Sequence, residues 1–290
     1  MNATAPLPQS FEVGIRSRVP GDEYRSLAGT SITRLKELRR SAQHYAYLLT
    51  HPKESQPITL GVAAHTAVLE PERFAQQFAV WGERTGGGAL RPRRGKDWEA
   101  FENSHVGTTI ITADEEETVR AIQAAVRTNP IAARYLEAGD PEVTLQWLLN
   151  GRQCRGRVDW LTAVDDKPVL VGLKTARDCR HFIFGSAAAK LAYHWQWAFY
   201  YDGYKEITGR EPKMVELVVE SAPPHAVAVY TIPDDVLDQG RDEYDRALVQ
   251  LDECERTGYF PGPQETEEPL SLPSWAFESQ DDISALGLEL

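Results

Sequence analysis

Two stretches of the chain carry side chains that could do chemistry together: Cys154-Arg-Gly-Arg-Val-Asp159-Trp-Leu and Pro168-Val-Leu-Val-Gly-Leu-Lys174-Thr-Ala. Each reads as a strand, and Asp165-Asp-Lys-Pro168 between them reads as the turn of a hairpin. Paired strands lie ~5 Å apart, so the hairpin brings the Asp159 carboxylate beside the Lys174 ammonium. Such a pair suits metal-assisted hydrolysis of a phosphodiester. A divalent ion held by carboxylates activates water and neutralises the charge developing on the phosphate and the leaving oxygen. A neighbouring lysine orients the water and offsets phosphate charge. A complete metal site would carry an acidic residue two positions before the lysine, where the chain has Gly172. Taken alone, an Asp and a Lys at this spacing also describe an ordinary cross-strand ion pair. The apolar run Val169-Leu-Val171 favours the first reading, because it sets Lys174 at the edge of a core.

Outside the hairpin, His65 lies on an apolar helical segment with Ala64, Ala67 and Val68. A lone histidine there reads first as a satisfied member of a helix interface and second as a ligand. Gln196 and Tyr200 stand four apart on one helix face, where an amide and a phenol could reach a phosphate or a base. Their neighbours Trp195, Trp197 and Phe199 read as helix-to-sheet packing. The one concentrated basic loop, Thr85-Gly-Gly-Gly-Ala-Leu-Arg-Pro-Arg-Arg-Gly-Lys96, offers Arg91, Arg93, Arg94 and Lys96 for phosphate contact. The acidic runs at Asp114 to Glu117, Asp234-Asp235 and Glu265 to Glu268 read as helix caps and solvated faces.

The elements that must position these groups follow from punctuation and periodicity. Residues 1–22, with Pro6, Pro8, Pro20 and Gly21, read as a flexible arm. Thr30-Ser31 is a candidate N-cap for a helix running from Ile32 toward Tyr45 and Tyr47. After Pro57 a second helix carries His65 and ends or bends at Pro71. Another holds Trp98 and Phe101, Thr112-Ala-Asp114 caps one through Val126, and Pro130 restarts it as far as Leu136. Strands are predicted at Glu142 to Trp147, Arg155 to Leu161 and Val169 to Leu173, with Asn150-Gly151 as the first hairpin turn. Ser186 to Ile207 reads as one long helix; two strands, Met214 to Ser221 and Ala226 to Ile232, precede an acidic helix from Asp234 to Thr257. In that last helix Val236, Tyr244, Leu248 and Leu251 face inward. The tail closes on Pro273-Ser-Trp275. The simplest organisation is one α/β domain over 23–262 with a helical N-terminal part, followed by an acidic tail over 263–290.

Composition bounds the classes. A hydrophobic fraction of 42% with 7 Trp and 11 Tyr excludes a wholly disordered chain. Net charge of -12 excludes a general cationic coat for nucleic acid, but not an enzyme that confines its Lys and Arg to one groove. Cys154, Cys179 and Cys254 are too scattered to suggest disulfides or structural zinc. The N-terminus has no signal-peptide pattern and no stretch approaches a membrane span, so a cytoplasmic location is expected.

In order along the chain, Tyr24, Thr30-Ser-Ile-Thr-Arg-Leu35, Ser41-Ala-Gln-His-Tyr45, Leu60-Gly-Val-Ala-Ala-His65-Thr-Ala-Val-Leu-Glu-Pro71, Trp98-Glu-Ala-Phe101, Glu142-Val-Thr-Leu, Arg155-Gly-Arg-Val-Asp159-Trp, Leu173-Lys174-Thr175 and Gln196-x-x-x-Tyr200 form a set. No member is specific, but the ordered set resembles the PD-(D/E)XK nuclease superfamily, and within it the RecE-type, exonuclease VIII-like enzymes of phages and prophages. The resemblance implies a central mixed sheet flanked by helices. It implies His65 and Asp159 as metal ligands with the Leu173 carbonyl, Lys174 as the group assisting the attacking water, Gln196 and Tyr200 on the DNA strand, and Glu142 as an acid near the metals. It further implies magnesium or manganese, digestion of duplex DNA ends in the 5′ to 3′ direction for recombination, a single-strand annealing partner and a homo-oligomer. Gly172 departs from the family pattern, in which Asp is usual. Three readings follow: another carboxylate serves, Glu142 foremost and then Asp165, Asp166 or Glu70; the position is engineered; or the protein binds DNA ends without cutting.

Overall fold

The computed structural model describes residues 11–51 and 60–273. Pro6, Pro8, Pro57 and Trp275 lie outside the described residues. The chain opens with β1 (Gly14–Arg16), α1 (Gly21–Ser26), β2 (Thr30–Ser31) and α2 (Ile32–Leu35). A 3-10 turn over Lys36–Arg39 then leads to α3 (Ala42–Thr50), α4 (Leu60–Leu69), α5 (Pro71–Gln77) and β3 (Phe78–Trp81). There follow α6 (Lys96–Ser104), β4 (Thr109–Thr112), α7 (Ala113–Thr128) and α8 (Pro130–Leu136). The meander is β5 (Asp140–Leu149), β6 (Arg152–Val164) and β7 (Lys167–Ala176). Last come α9 (His181–Lys190), α10 (Tyr193–Thr208), β8 (Lys213–Glu220), β9 (Val227–Thr231) and α11 (Asp234–Thr257).

The main sheet runs β1-β5-β6-β7-β8-β9, with β2 beside β6. Its neighbours are antiparallel except β7 with β8 and β2 with β6. Parallel strands need a crossover, and α9 and α10 supply the one between β7 and β8. Because strand side chains alternate in direction, the near-continuous apolar run of β7 serves two cores. Val169, Val171 and Leu173 join Val215, Leu217 and Val219 under α4, α7 and α8, against Val68, Ile122 and Leu136. Leu170, Met214 and Val218 face the other way, with Leu35, Phe199, Tyr244 and Leu251 from the second helical layer. Gly172, Lys174 and Glu216 share the parity of this second face.

Three local expectations are corrected. Gly14–Arg16, inside the segment expected as a loose arm, pairs antiparallel with β5. The helix expected from Ile32 toward Tyr47 is broken: Thr30 and Ser31 pair with Cys154 and Arg155 as a strand, and Ser31 makes no side-chain cap. The true cap is Ser41, whose side chain accepts the His44 N–H ahead of α3. The long helix expected over Ser186 to Ile207 is two helices, because Ala192 adopts a left-handed φ of +52° between α9 and α10. In addition, β3 and β4, segments for which no strand was expected, form a separate parallel pair. The caps read at Thr112 and Pro130 hold: Thr112 and Glu115 form a reciprocal capping box, and Pro130 is the first residue of α8.

Candidate active site

The site forms where β6 and β7 part. Their pairing ends at Trp160↔Val171, and the next position on each strand is Asp159 and Gly172. Past that rung the Leu173 N–H donates to Asp159 Oδ2 at 2.8 Å. The carboxylate thus takes over a backbone group that the ladder no longer satisfies. On the opposite edge of β7, Gly172 pairs with Glu216 of β8. The register Pro141↔Trp160 and Val143↔Val158 sets Glu142 opposite Asp159, although its left-handed φ of +52° takes it out of the β5–β6 ladder. Glu142, Asp159, Gly172 and Glu216 therefore form one row across four strands.

Lys174 stands between the two inner carboxylates. Its Nζ is 3.4 Å from Asp159 Oδ2, 3.3 Å from the Leu173 carbonyl oxygen and 3.2 Å from Glu216 Oε1. Glu216 is only 1% exposed, and its Oε2 accepts the Trp197 Nε1–H at 2.5 Å. Its Oε1 has the Lys174 ion pair but no aligned hydrogen bond among the described residues. The carboxylate occupies the space above Gly172: a Cβ there would lie 2.5 Å from both of its oxygens. Glycine at 172 and glutamate at 216 thus form one spatial unit, with the acid supplied by the neighbouring strand.

Burial opposes ionisation of Asp159, yet Lys174, His65 and the Leu173 N–H outweigh it and hold the carboxyl below its ordinary value. Burial likewise opposes the charge on Lys174, but Glu216 and Asp159 hold its ammonium above the ordinary range. Burial pushes the Glu216 carboxyl up, with Lys174 pulling it back and Asp159 adding to the rise. Burial, aided by the Lys174 charge, shifts His65 of α4 down against the pull of Asp159 and of a hydrogen bond to the Leu173 backbone, and the net shift favours a neutral imidazole.

His65 and Glu142 share a cleft of about 570 Å³ with Glu70, Arg73 and Arg157. Glu142 is paired with Arg157 at 3.1 Å and Glu70 with Arg73 at 2.6 Å. Burial and the Asp159 charge push the Glu142 carboxyl up to about 7, against the pull of Arg157. Gln196 and Tyr200 lie with Asp159, Gly172, Lys174 and Glu216 in a narrow crevice on the α10 side, where the amide donates to the phenol oxygen at 3.4 Å. Burial, then Tyr24 and Asp159, push the Tyr200 phenol up and keep it protonated. Arg93 is engaged elsewhere, 3.2 Å from Glu115 and over the Trp98 ring, while Arg94 is exposed on the same loop. Asp165 is exposed at the hairpin turn and paired with Arg134 at 2.9 Å. The carboxylate beside Gly172 is therefore Glu216, which sequence reasoning missed, and not one of the four acids weighed for that place. Its signal was present: one glutamate in the middle of the apolar run Met214-Val-Glu-Leu-Val-Val219. Trp197, read as packing alone, also holds that glutamate.

A model of the family described as "PDDEXK-like domain of unknown function (DUF3799)" matches residues 31–270. No curated protein matches in sequence. Among solved structures, a "Putative exonuclease" from Eubacterium rectale superposes with a TM-score of 0.57 at 11% identity, over 88% of this chain and 97% of that one. At that identity the likeness speaks for the fold alone. SSO0001 matches at 12% identity and TM-score 0.26, over 74% of this chain and 84% of its own. Protein VC1899 from Vibrio cholerae matches at 13% and 0.20, over 77% and 57%. Neither of these two bears on the site.

Proposed function

Since the chain belongs to the DUF3799 family of PDDEXK-like domains, whose fold is nuclease-like, we propose that it is a metal-dependent DNA exonuclease. In this reading it digests linear duplex from an end, 5′ to 3′ as in the RecE type, in the service of recombination. The observation that carries the proposal is the Glu216 carboxylate seated over Gly172, beside Asp159 and Lys174. It supplies an acid where the sequence motif lacks one, and so favours an active enzyme over a pseudonuclease that only holds DNA ends.

The donor set suits a hard dication in kind: carboxylate oxygens of Asp159 and Glu216, the Leu173 carbonyl and neutral His65, with Glu142 close by. Both hydrogen bonds to Asp159 use Oδ2, which leaves Oδ1 for a cation. Among the described residues no group of three or more His, Cys, Asp or Glu is placed to hold a metal ion by itself. That is compatible with magnesium or manganese, which retain waters and take substrate phosphate oxygens alongside one or two carboxylates. When bound, the ion would activate water and neutralise phosphate charge. Lys174 would orient that water, Gln196 and Tyr200 would position the strand, and Arg93 and Arg94 would contact duplex farther out. An annealing protein, self-assembly and a cytoplasmic setting belong to the same proposal; among the described residues no helix is long and apolar enough to cross a membrane.

The test is release of nucleotides from end-labelled linear duplex with magnesium or manganese, with covalently closed circular duplex as the control. Release from the linear substrate alone is expected, and Lys174→Ala should reduce it by about 10²-fold or more. Wild type that binds ends but releases nothing would leave the pseudonuclease reading standing. Equal rates for wild type and Lys174→Ala would remove the mechanism.

A further inference from the structure

One cation beside the site has no role so far. Lys36 opens the 3-10 turn after α2, and its Nζ lies 5.4 Å from the centroid of the Tyr193 ring. Lys174 Nζ lies 5.6 Å from the same centroid. Two ammonium groups thus share one aromatic ring at the first residue of α10. Lys36 is half-buried and has no ion pair or hydrogen bond with a described residue. Glu216, the carboxylate whose charge acts on Lys36, is already engaged by Lys174 and Trp197. Burial, then Lys174 and Arg39, lower the Lys36 ammonium to about 7, with Glu216 pulling the other way.

A half-buried cation beside another cation costs free energy unless an anion joins it. The Tyr193 ring offsets part of that cost through its π face. We propose that Lys36, with Tyr193 as its platform, is a phosphate-positioning residue that holds a backbone phosphate of the strand next to the phosphate at Lys174. Each ammonium lies within 5.6 Å of that one ring centroid, and the charge of Lys174 is felt at Lys36, so an anion held at one is drawn by both. This inference rests on the nuclease reading for its substrate.

Steady-state digestion of linear duplex and its binding over a salt series test it with wild type, Lys36→Met, Lys36→Gln and Lys36→Arg. The two neutral variants are expected to raise KM about tenfold, with a smaller effect on kcat. They should also make the log–log salt dependence of binding shallower by about one. Lys36→Arg should restore most of the affinity, which a purely structural role would not predict. Thermal melts check folding, and whichever neutral variant folds decides the matter. Unchanged KM and salt slope in an active enzyme would overturn the proposal. Duplex binding with a Lys36-dependent slope but no cleavage would sink the nuclease reading and leave Lys36 in place; no binding at all would remove both.

Discussion

Gly172 and Glu216 constrain each other. A side chain at 172 would begin 2.5 Å from both Glu216 oxygens, and an aspartate would add a second carboxylate to a pocket where the first is 1% exposed. Gly172→Asp is therefore expected to cost about 2–4 kcal/mol in chemical denaturation, through overpacking and an uncompensated charge, and to lower nuclease activity. Gly172→Asp combined with Glu216→Ala should recover most of that stability and cleave faster than either single variant. A Gly172→Asp protein as stable as wild type would refute the pairing. Glu142 gives a separate test, through pH. Its carboxyl rises from 4.5 to about 7 in the folded protein, chiefly through burial and secondarily through Asp159. The folded state then binds more protons than the unfolded state between those values, so this group's contribution to stability is full below 4.5 and is lost as pH rises toward 7. With chelator present to exclude metal, Glu142→Gln should gain on wild type over that window by up to roughly 3 kcal/mol. A constant difference between pH 4 and 8 would exclude it.

The elements that hold these residues were unequally legible. Asp159 and Lys174 sit on consecutive strands joined by a short turn, so local spacing alone sets them side by side. Thr112 announces α7 through its capping box with Glu115, and Thr112→Ala should cost about 1 kcal/mol of thermal or denaturant stability. Glu216 was legible as an acid within an apolar run but not as the partner of Gly172, because it reaches that residue through a parallel pairing across the α9–α10 crossover, far away in sequence. Nor was the break at Ala192, a left-handed residue that is not glycine; it gives α10 its own start, with Tyr193 beside Lys174 and Trp195 bonded to Glu243. The motif Arg155-Gly-Arg-Val-Asp159 was read for its acid, yet its glycine has a role too. A Cβ on Gly156 would lie 2.6 Å from the Tyr200 ring, so β6 and α10 approach closely only because none is there. Gly156→Ala should lose about 1–3 kcal/mol and shift the Tyr200 phenol away from the crevice. A melt indistinguishable from wild type would argue against that packing.

At the scale of the molecule, a chain of net charge -12 has gathered Glu142, Asp159 and Glu216 into one row of its central sheet. Within that row Arg157 and Lys174 are the opposing cations. The fold therefore holds carboxylates together that the unfolded chain keeps apart, and a dication that binds the folded arrangement should stabilise it by mass action. At a hundredfold excess over Kd this amounts to about 2.7 kcal/mol, or a rise in Tm of roughly 5–10 °C for a domain of this size. Thermal melts in chelator, magnesium and manganese read the effect without any substrate. Asp159→Asn should abolish most of the rise, because that residue links Leu173, Lys174 and the row of acids. A melt insensitive to either ion, or a rise that survives Asp159→Asn, would separate the nuclease-like fold from the metal chemistry and leave Glu216 and Lys174 as a structural ion pair.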